Sequence, residues 1–198
     1  MTNLCMDTVV FYAENDAQEA GLQKLKEAVS SCYPGYALSK DARMAKIFEQ
    51  NNLSIEGLHL RGDVIHSAIE DDSVTLDCDA AWRPMWDAYN ALAKYFDVNF
   101  VMQAEEPGSD IYINTDSDGT YLSTHYKLVL DGRPDDDSLD AILAAADGDT
   151  DIYFDSESSL LQWFRDGGID AESLDELRHK VDDDYVTIHE YVNSYQED

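Results

Sequence analysis

The sequence contains few residue patterns that could carry chemistry, and the clearest of them would bind calcium. Asn114, Asp116 and Asp118 stand at alternate positions, and a glycine follows the last of them. This matches the first half of a calcium-binding loop, which needs hard oxygen ligands at positions one, three and five and a glycine at position six. Position twelve should be a bidentate glutamate but is His125. We therefore interpret the stretch as a polar turn between two strands.

The other candidate patterns for chemistry are weaker. The alternating Asp147, Asp149 and Asp151 are followed by an isoleucine where a calcium loop needs glycine. The five histidines are scattered, the three cysteines form no C-x-x-C pair, and glycine-rich phosphate loops and nucleophile elbows are absent. Glu105 and Glu106 are adjacent, so in a strand they would point to opposite faces, and an exposed hairpin tip or a partner contact is favoured over an acid/base pair. We predict a non-enzymatic protein with no catalytic residues, no metal site and no cofactor.

The charge of the chain is its most unusual property. Against 42 Asp and Glu stand 13 Lys and Arg, which gives a formal net charge of −29. Residues 1–99 contain 16 acids and 8 bases, whereas residues 131–198 contain 21 acids and only 4 bases. Such a surface repels nucleic acids and anionic membranes, so we expect a basic protein as the partner, with no direct nucleic-acid or membrane binding. A salt-adapted organism would make the first 99 residues comparably acidic, and they are not.

Three further observations bear on the location of the protein. The apolar runs are far shorter than the roughly 20 residues of a membrane-spanning helix, and the N-terminal residues lack a basic signal-peptide region. An odd number of cysteines suits a reducing compartment. We predict a cytoplasmic protein, and the sequence leaves its oligomeric state open.

Several acidic residues in the last third of the chain stand where helices are expected to begin. There they can cap the helix and complement its dipole, but capping does not account for their number. We predict that the surplus forms a partner-binding surface together with the acidic hairpin. The candidate partner-binding residues are Asp135, Asp136, Asp137, Asp140, Asp147, Asp149, Asp151, Asp155, Asp182, Asp183, Asp184, Glu105 and Glu106.

The periodicity of apolar residues predicts an α+β fold. Strands are predicted at 4–13, 63–70, 73–78 and 98–102, and helices at 17–31, 40–50 and 82–96. This order is the split βαβ, or ferredoxin-like, arrangement of an antiparallel sheet with helices on one face. Two further strands, at 110–115 and 121–130, are predicted to extend it as a β-meander.

The chain changes character after Pro134. Short helices are predicted around 139–143, 156–165 and 171–180, whereas residues 185–195 fit a helix or a strand. We therefore predict two domains: a ferredoxin-like domain at 1–133 and an acidic, mainly helical segment at 134–198.

Part of the chain resembles a known family. Asn3 to Val9, the helix with Trp82 and Trp86, the turn Glu105-Glu106-Pro107-Gly108 and the following Ile111 to Asn114 and Gly119 to Tyr121 resemble the YubB-like ferredoxin-fold family. Its members are found on plasmids, in phages and in other mobile elements. The resemblance covers roughly residues 1–130. It implies a fold and a mobile-element origin, and it implies no catalytic residues.

Together these features predict a nucleic-acid mimic. In this interpretation the carboxylates imitate phosphates and occupy the basic groove of a host defence protein, in the manner of an anti-CRISPR or antirestriction inhibitor. DNA presents one charge per about 1.7 Å of its axis, and carboxylates on helix pairs and turns can approximate such an array. The alternative is an acidic accessory interaction module of unknown partner, whose charge serves solubility.

Overall fold

The computed structural model describes residues 3–34, 41–130, 146, 149–181 and 183–195. The chain forms two compact units, Met1–Thr115 and Asp116–Asp198. In the described residues the fold is α+β, with five α-helices and two antiparallel sheets. The predicted domain boundary between residues 133 and 134 and the predicted helix at 139–143 lie outside the described residues.

The first unit is built on a five-stranded antiparallel sheet. Its strands are β1 (Leu4–Tyr12), β2 (Gly62–Ile69), β3 (Ser73–Ala81), β4 (Asn99–Glu106) and β5 (Ile111–Asn114). Their order across the sheet is β2-β3-β1-β4-β5. The first strand in sequence is therefore the central strand, and it pairs antiparallel with β3 on one side and with β4 on the other.

Three helices accompany this sheet: α1 (Asp16–Cys32), α2 (Ala45–Gln50) and α3 (Trp86–Phe96). The sequence predicted that α3 would begin at Trp82, but it begins four residues later. Trp82 has a φ of 74°, in the left-handed region, and Pro84 disfavours helical backbone at the residue before it. Asn15 caps α1, because its side-chain oxygen accepts hydrogen bonds from the amides of Ala17 and Gln18.

The core of the first unit lies between the sheet and its helices. Along β1 the alternate residues Cys5, Val9 and Phe11 are fully buried, as the period of a strand with one covered face requires. The ring of Phe11 lies edge-on to that of Tyr89 in α3, at a centroid distance of 6.5 Å. Buried apolar side chains of this kind supply most of the folding free energy.

The second unit contains a separate three-stranded sheet. Its strands are β6 (Tyr126–Leu130), β7 (Asp151–Phe154) and β8 (Val186–Glu190), in the order β7-β6-β8. The ambiguous stretch at 185–195 thus contains a strand. Two helices, α4 (Glu157–Asp166) and α5 (Leu174–Lys180), share with this sheet a core that includes Leu128, Phe164 and Leu177.

The predicted β-meander is wrong at its third strand. β4 and β5 do pair as an antiparallel hairpin, but β6 pairs with β7 and β8 instead of extending the first sheet. The strand also begins at Tyr126 rather than Tyr121, because the Asp116 carboxylate accepts hydrogen bonds from the amides of Tyr121 and Leu122 and holds them in a turn. Alternation along a strand shows which side chains are buried, and it does not show which strand is the neighbour.

None of the helices in the described ranges combines the length and apolar character needed to cross a membrane.

The close approach of α1 to the end of α3 gives a first test of the fold. A Cβ atom placed on Gly21 would lie 1.8 Å from the carbonyl oxygen of Phe96. We expect Gly21→Ala to destabilise the protein by about 1–3 kcal/mol, the usual cost of overpacking, despite the roughly 0.5–1 kcal/mol by which alanine is better than glycine in a helix. Urea unfolding followed by circular dichroism measures the difference.

The control is Ala20→Gly, at the neighbouring exposed position of the same helix. It should cost only the helix-propensity difference of roughly 1 kcal/mol. A Gly21→Ala protein more stable than the wild type would contradict the backbone contact between the two helices.

Candidate functional site

The structure describes seven of the thirteen predicted partner-binding residues. Asp149, Asp151, Asp155, Asp183 and Asp184 are exposed, whereas Glu105 and Glu106 are buried. The remaining candidates, Asp135, Asp136, Asp137, Asp140, Asp147 and Asp182, lie outside the described residues.

Four of the exposed carboxylates meet at one end of the second sheet. β6 lies in the middle, and its residue Val129 pairs with Asp151 of β7 on one side and with Thr187 of β8 on the other. The beginnings of β7 and β8 therefore flank the end of β6. Asp151 is the first residue of β7 and Asp149 lies two residues before it, whereas Asp183 and Asp184 lie in the turn just before β8. We call Asp149, Asp151, Asp183 and Asp184 the acidic end.

The spacing of the acidic end follows from sheet geometry. Asp149 and Asp151 are two residues apart in sequence, so their Cα atoms lie at most about 7 Å apart. β7 and β8 are separated by one strand, so their beginnings lie about 10 Å apart.

The basic residues of the second unit do little to neutralise these carboxylates. Residues 116–198 contain 23 acids and 5 bases. The Arg165 guanidinium pairs with Asp170 at 2.8 Å, and the Lys180 ammonium pairs with Glu176 at 2.6 Å. In each case the basic partner lowers the pKa of the carboxyl. Both ion pairs lie on the helical part of the unit.

One base does reach the acidic end. Lys127 of β6 is only 4% exposed, and its ammonium lies 3.6 Å from the Asp151 carboxylate. The same nitrogen stands 5.2 Å from the centre of the Tyr153 ring, a distance at which a cation is attracted to the ring face. Asp151 therefore also holds a buried cation in place, and a variant that removes its charge affects packing as well as surface charge.

Asp155, a further predicted partner-binding residue, belongs to a helix cap. Its Oδ1 atom accepts hydrogen bonds from the hydroxyls of Ser159 at 2.7 Å and Ser156 at 2.9 Å. These bonds hold the pKa of the Asp155 carboxyl below its usual value. Ser156 is the N-cap of α4, so the hydrogen bonds of this aspartate account for its position at the helix start.

The prediction that Glu105 and Glu106 lie at an exposed hairpin tip is wrong. β4 continues through Glu106, and the turn begins only at Pro107. Within the hairpin Glu105 pairs with Tyr112 and Glu106 with Ile111, so both belong to the sheet. The Oε1 atom of Glu106 accepts a hydrogen bond from the Gly108 amide at 3.1 Å, and Glu106 is only 2% exposed. A Pro-Gly turn predicts where a hairpin reverses, but the strands on either side can reach closer to the turn than expected.

The sequence analysis missed a buried carboxyl group in the central strand. Asp7 is 2% exposed, and its Oδ2 atom accepts hydrogen bonds from the Met85 amide and the Tyr89 hydroxyl, each at 2.9 Å. The thiol of Cys5, two residues earlier in the same strand, also interacts with the Asp7 carboxylate and favours its charged form. The signal was present in the sequence, because Asp7 has the same parity in the strand as the core residues Cys5, Val9 and Phe11.

The buried position of Asp7 changes its acidity. Burial raises the pKa of Asp7 from 3.8 to about 6, and the hydrogen bonds from Met85 and Tyr89 oppose this shift only in part. The carboxylate is therefore ionised at neutral pH in a place that disfavours its charge. Asp7 joins β1 to the start of α3, so it has a structural role in positioning that helix.

The cysteines of the described chain are poorly suited to nucleophilic chemistry. Cys5, Cys32 and Cys78 are free and buried. Burial raises the pKa of all three thiols, and the thiol is a much weaker nucleophile than the thiolate. Within the residues that the structure describes, no three His, Cys, Asp or Glu side chains are grouped so that they could hold a metal ion.

Comparison of the chain with protein-family models, with curated proteins and with solved structures found no match.

The buried Asp7 carboxyl predicts a pH-dependent stability. The folded protein binds this proton more tightly than the unfolded chain does. Its stabilising contribution is therefore fully present below about pH 4 and is lost as the pH rises through about 6. Asp7→Asn has no charge to bury, and its side-chain oxygen can still accept both hydrogen bonds. Its stability relative to wild type should increase by about 1 kcal/mol between about pH 5 and about pH 7.

Urea unfolding at a series of pH values measures this difference, with Asp72→Asn in the exposed turn between β2 and β3 as the control. The control should not show the same increase. A constant difference between Asp7→Asn and wild type across this range would show that the carboxyl titrates as an exposed group does.

Proposed function

We propose that this protein is a non-enzymatic inhibitor from a mobile element, which imitates nucleic acid and occupies the basic groove of a host defence protein. A CRISPR effector or a restriction nuclease has such a groove. The observation that carries the proposal is the acidic end, where the sheet of the second unit brings four exposed carboxylates together. The resemblance to the YubB-like family supports the mobile-element origin.

The physical basis is the similarity between this array and a nucleic-acid backbone. Successive phosphates advance by 3.4 Å per strand along B-DNA, and both strands together give one charge per about 1.7 Å. Four carboxylates at or just before the beginnings of two strands about 10 Å apart provide a local concentration of negative charge. A protein groove that binds phosphates through Lys and Arg attracts such a surface and associates with it rapidly at low salt.

The first unit supports a ferredoxin-like assignment. β3 lies between β1 and β2, and β1 lies between β3 and β4, with a helix following each of β1 and β3. This interleaving of two βαβ units in an antiparallel sheet is what a split βαβ arrangement requires. We propose that this unit is the scaffold of the inhibitor. Its free, buried cysteines support a cytoplasmic location.

The immobilised full chain is first used to capture its binding protein from the host, and that protein is then purified for binding measurements. Neutralising the acidic end by Asp149→Asn, Asp151→Asn, Asp183→Asn and Asp184→Asn should weaken its binding by at least about tenfold. Charge pairs desolvated at an interface cost about 2–5 kcal/mol each when one member is lost. Dissociation constants from isothermal titration calorimetry measure the effect, and duplex DNA should compete with the wild-type chain.

The matched control neutralises four carboxylates of the first unit: Asp16, Asp71, Asp72 and Asp87. Both variants change the net charge by the same amount, so a non-specific field would make their affinities equal. Equal affinities with intact folding would reject mimicry by the acidic end and favour the accessory-module alternative. A triple variant that retains Asp151 also retains the ion pair with Lys127. Comparing it with the quadruple variant separates the loss of surface charge from the loss of packing.

Salt dependence provides a second measure of the same interface. Exposed charges are screened over about 8 Å at 0.15 M salt, so the affinity for the captured protein should fall steeply as salt rises. An affinity that does not change between low and high salt would contradict an electrostatic interface.

A further inference from the structure

Part of one face of the first sheet, at the beginning of β1, is exposed to solvent. The residues of β1 that pack toward the helices are Cys5, Val9 and Phe11, whereas Leu4 and Met6 have the opposite parity. Leu4 is 52% exposed and Met6 is 48% exposed. These are large apolar side chains in the central strand of a sheet, where solvent exposure is unfavourable, so this part of the face resembles an unoccupied contact surface.

Carboxylates flank this apolar pair. Met6 pairs directly with Asp79 of β3, and Asp79 pairs in turn with Asp63 of β2. On its other side Met6 pairs with Glu105 of β4, which is buried. The accessible part of this row is therefore formed by Asp63, Asp79 and Met6, on three neighbouring strands. In the next row the Asp77 carboxylate accepts a hydrogen bond from the Thr8 hydroxyl at 2.8 Å and lies 2.9 Å from Nδ1 of His66. The carboxylate of Asp77 thus has hydrogen-bond partners within the sheet, whereas the structure shows none for Asp63 and Asp79 among the described residues.

The pairing of Asp63 with Asp79 is unfavourable in the isolated protein. Like charges placed directly opposite each other on neighbouring strands destabilise a sheet. Neither carboxylate has a hydrogen bond or an ion pair among the described residues. Burial, and then the charge of Asp63, raise the pKa of Asp79 above its usual value. A cation placed between the two carboxylates would relieve this repulsion.

We propose that Leu4, Met6, Asp63 and Asp79 form a docking surface for a cationic, amphipathic segment of a partner protein. Basic side chains of the segment reach Asp63 and Asp79, and its apolar side chains cover Leu4 and Met6. The charge complementarity identifies this occupant. A nucleic acid would be repelled by the carboxylates, and a second copy of the chain would carry the same net charge of −29.

This surface goes beyond the proposed function. It lies in the first unit, away in sequence from the acidic end, and it combines charge with apolar contact. An imitation of nucleic acid needs carboxylates alone. A partner segment that alternates basic and apolar side chains matches the side-chain alternation of the strands on which it would dock.

The experiment uses the full chain and three synthetic peptides: one alternating Lys and Leu, one alternating Lys and Ser, and one alternating Glu and Leu. Fluorescence anisotropy near 0.15 M salt, where distant charges are screened, measures their binding. The Lys–Leu peptide should bind most tightly and the Glu–Leu peptide should not bind. The preference for Lys–Leu over Lys–Ser is the readout of apolar contact.

Two surface variants separate the charged and apolar parts of the site. Asp63→Asn with Asp79→Asn should weaken binding of the Lys–Leu peptide by about tenfold, since each exposed charge pair contributes up to about fivefold. This variant should be at least as resistant to thermal unfolding as the wild type, because it removes a repulsion. Leu4→Ser with Met6→Ser should abolish the preference for the Lys–Leu peptide over the Lys–Ser peptide.

The matched control is Asp71→Asn with Asp72→Asn, in the exposed turn between β2 and β3. It removes the same charge and should change peptide affinity by less than about twofold, as expected for charges outside the contact. The preference for the Lys–Leu peptide should also persist in the variant that neutralises the four carboxylates of the acidic end. The docking surface and the proposed nucleic-acid mimicry can therefore fail independently of each other. Equal effects of the two double-Asn variants, or an unchanged preference after Leu4→Ser and Met6→Ser, would overturn the docking surface. Binding of a duplex oligonucleotide at this face would overturn it too.

Discussion

The first unit depends on the pairing of β1 with two neighbours at once. β1 hydrogen-bonds to β3 along its whole length and to β4 along most of it, so its register determines which side chains of both neighbours face the helices. A shift of one residue would turn its buried residues to the opposite face. The Asp7 carboxylate adds a fixed point, because its bonds to Met85 and Tyr89 connect this strand to the start of α3.

Electrostatic repulsion is the force that this arrangement has to withstand. A net charge of −29 favours expansion of the chain, and the apolar cores of the two units oppose it. The carboxylates of the chain lie in different environments. Asp7 and Glu106 are buried within the first unit, Asp155 is held by helix-cap hydroxyls, and Asp149 and Asp183 remain at the surface. The buried carboxylates are inaccessible to any partner, so the number of acids alone overstates the size of any binding surface.

The exposure of the acidic-end carboxylates could be predicted from the sequence, but their spatial arrangement could not, because it depends on contacts between distant parts of the chain. Exposure of Asp149, Asp151, Asp183 and Asp184 followed from composition, because so many charges cannot be buried. Their meeting at one end of a sheet did not follow, since β7 and β8 are separated by two helices in sequence. Glu105 and Glu106 were predicted at the exposed tip of a hairpin because they precede a Pro-Gly turn, but β4 continues through both residues and both are buried.

The sequence by itself determined the α+β class and the position of most elements, because the periods of apolar residues are a local property of the chain. It also determined the acidic character of the surface. Only the tertiary structure decided that β6 joins a second sheet, that Asp7 is a core residue bonded to α3, and that Asp63 lies directly opposite Asp79 on the neighbouring strand. Each of these depends on contacts between residues far apart in sequence, and a local pattern is compatible with several such partners until packing selects one.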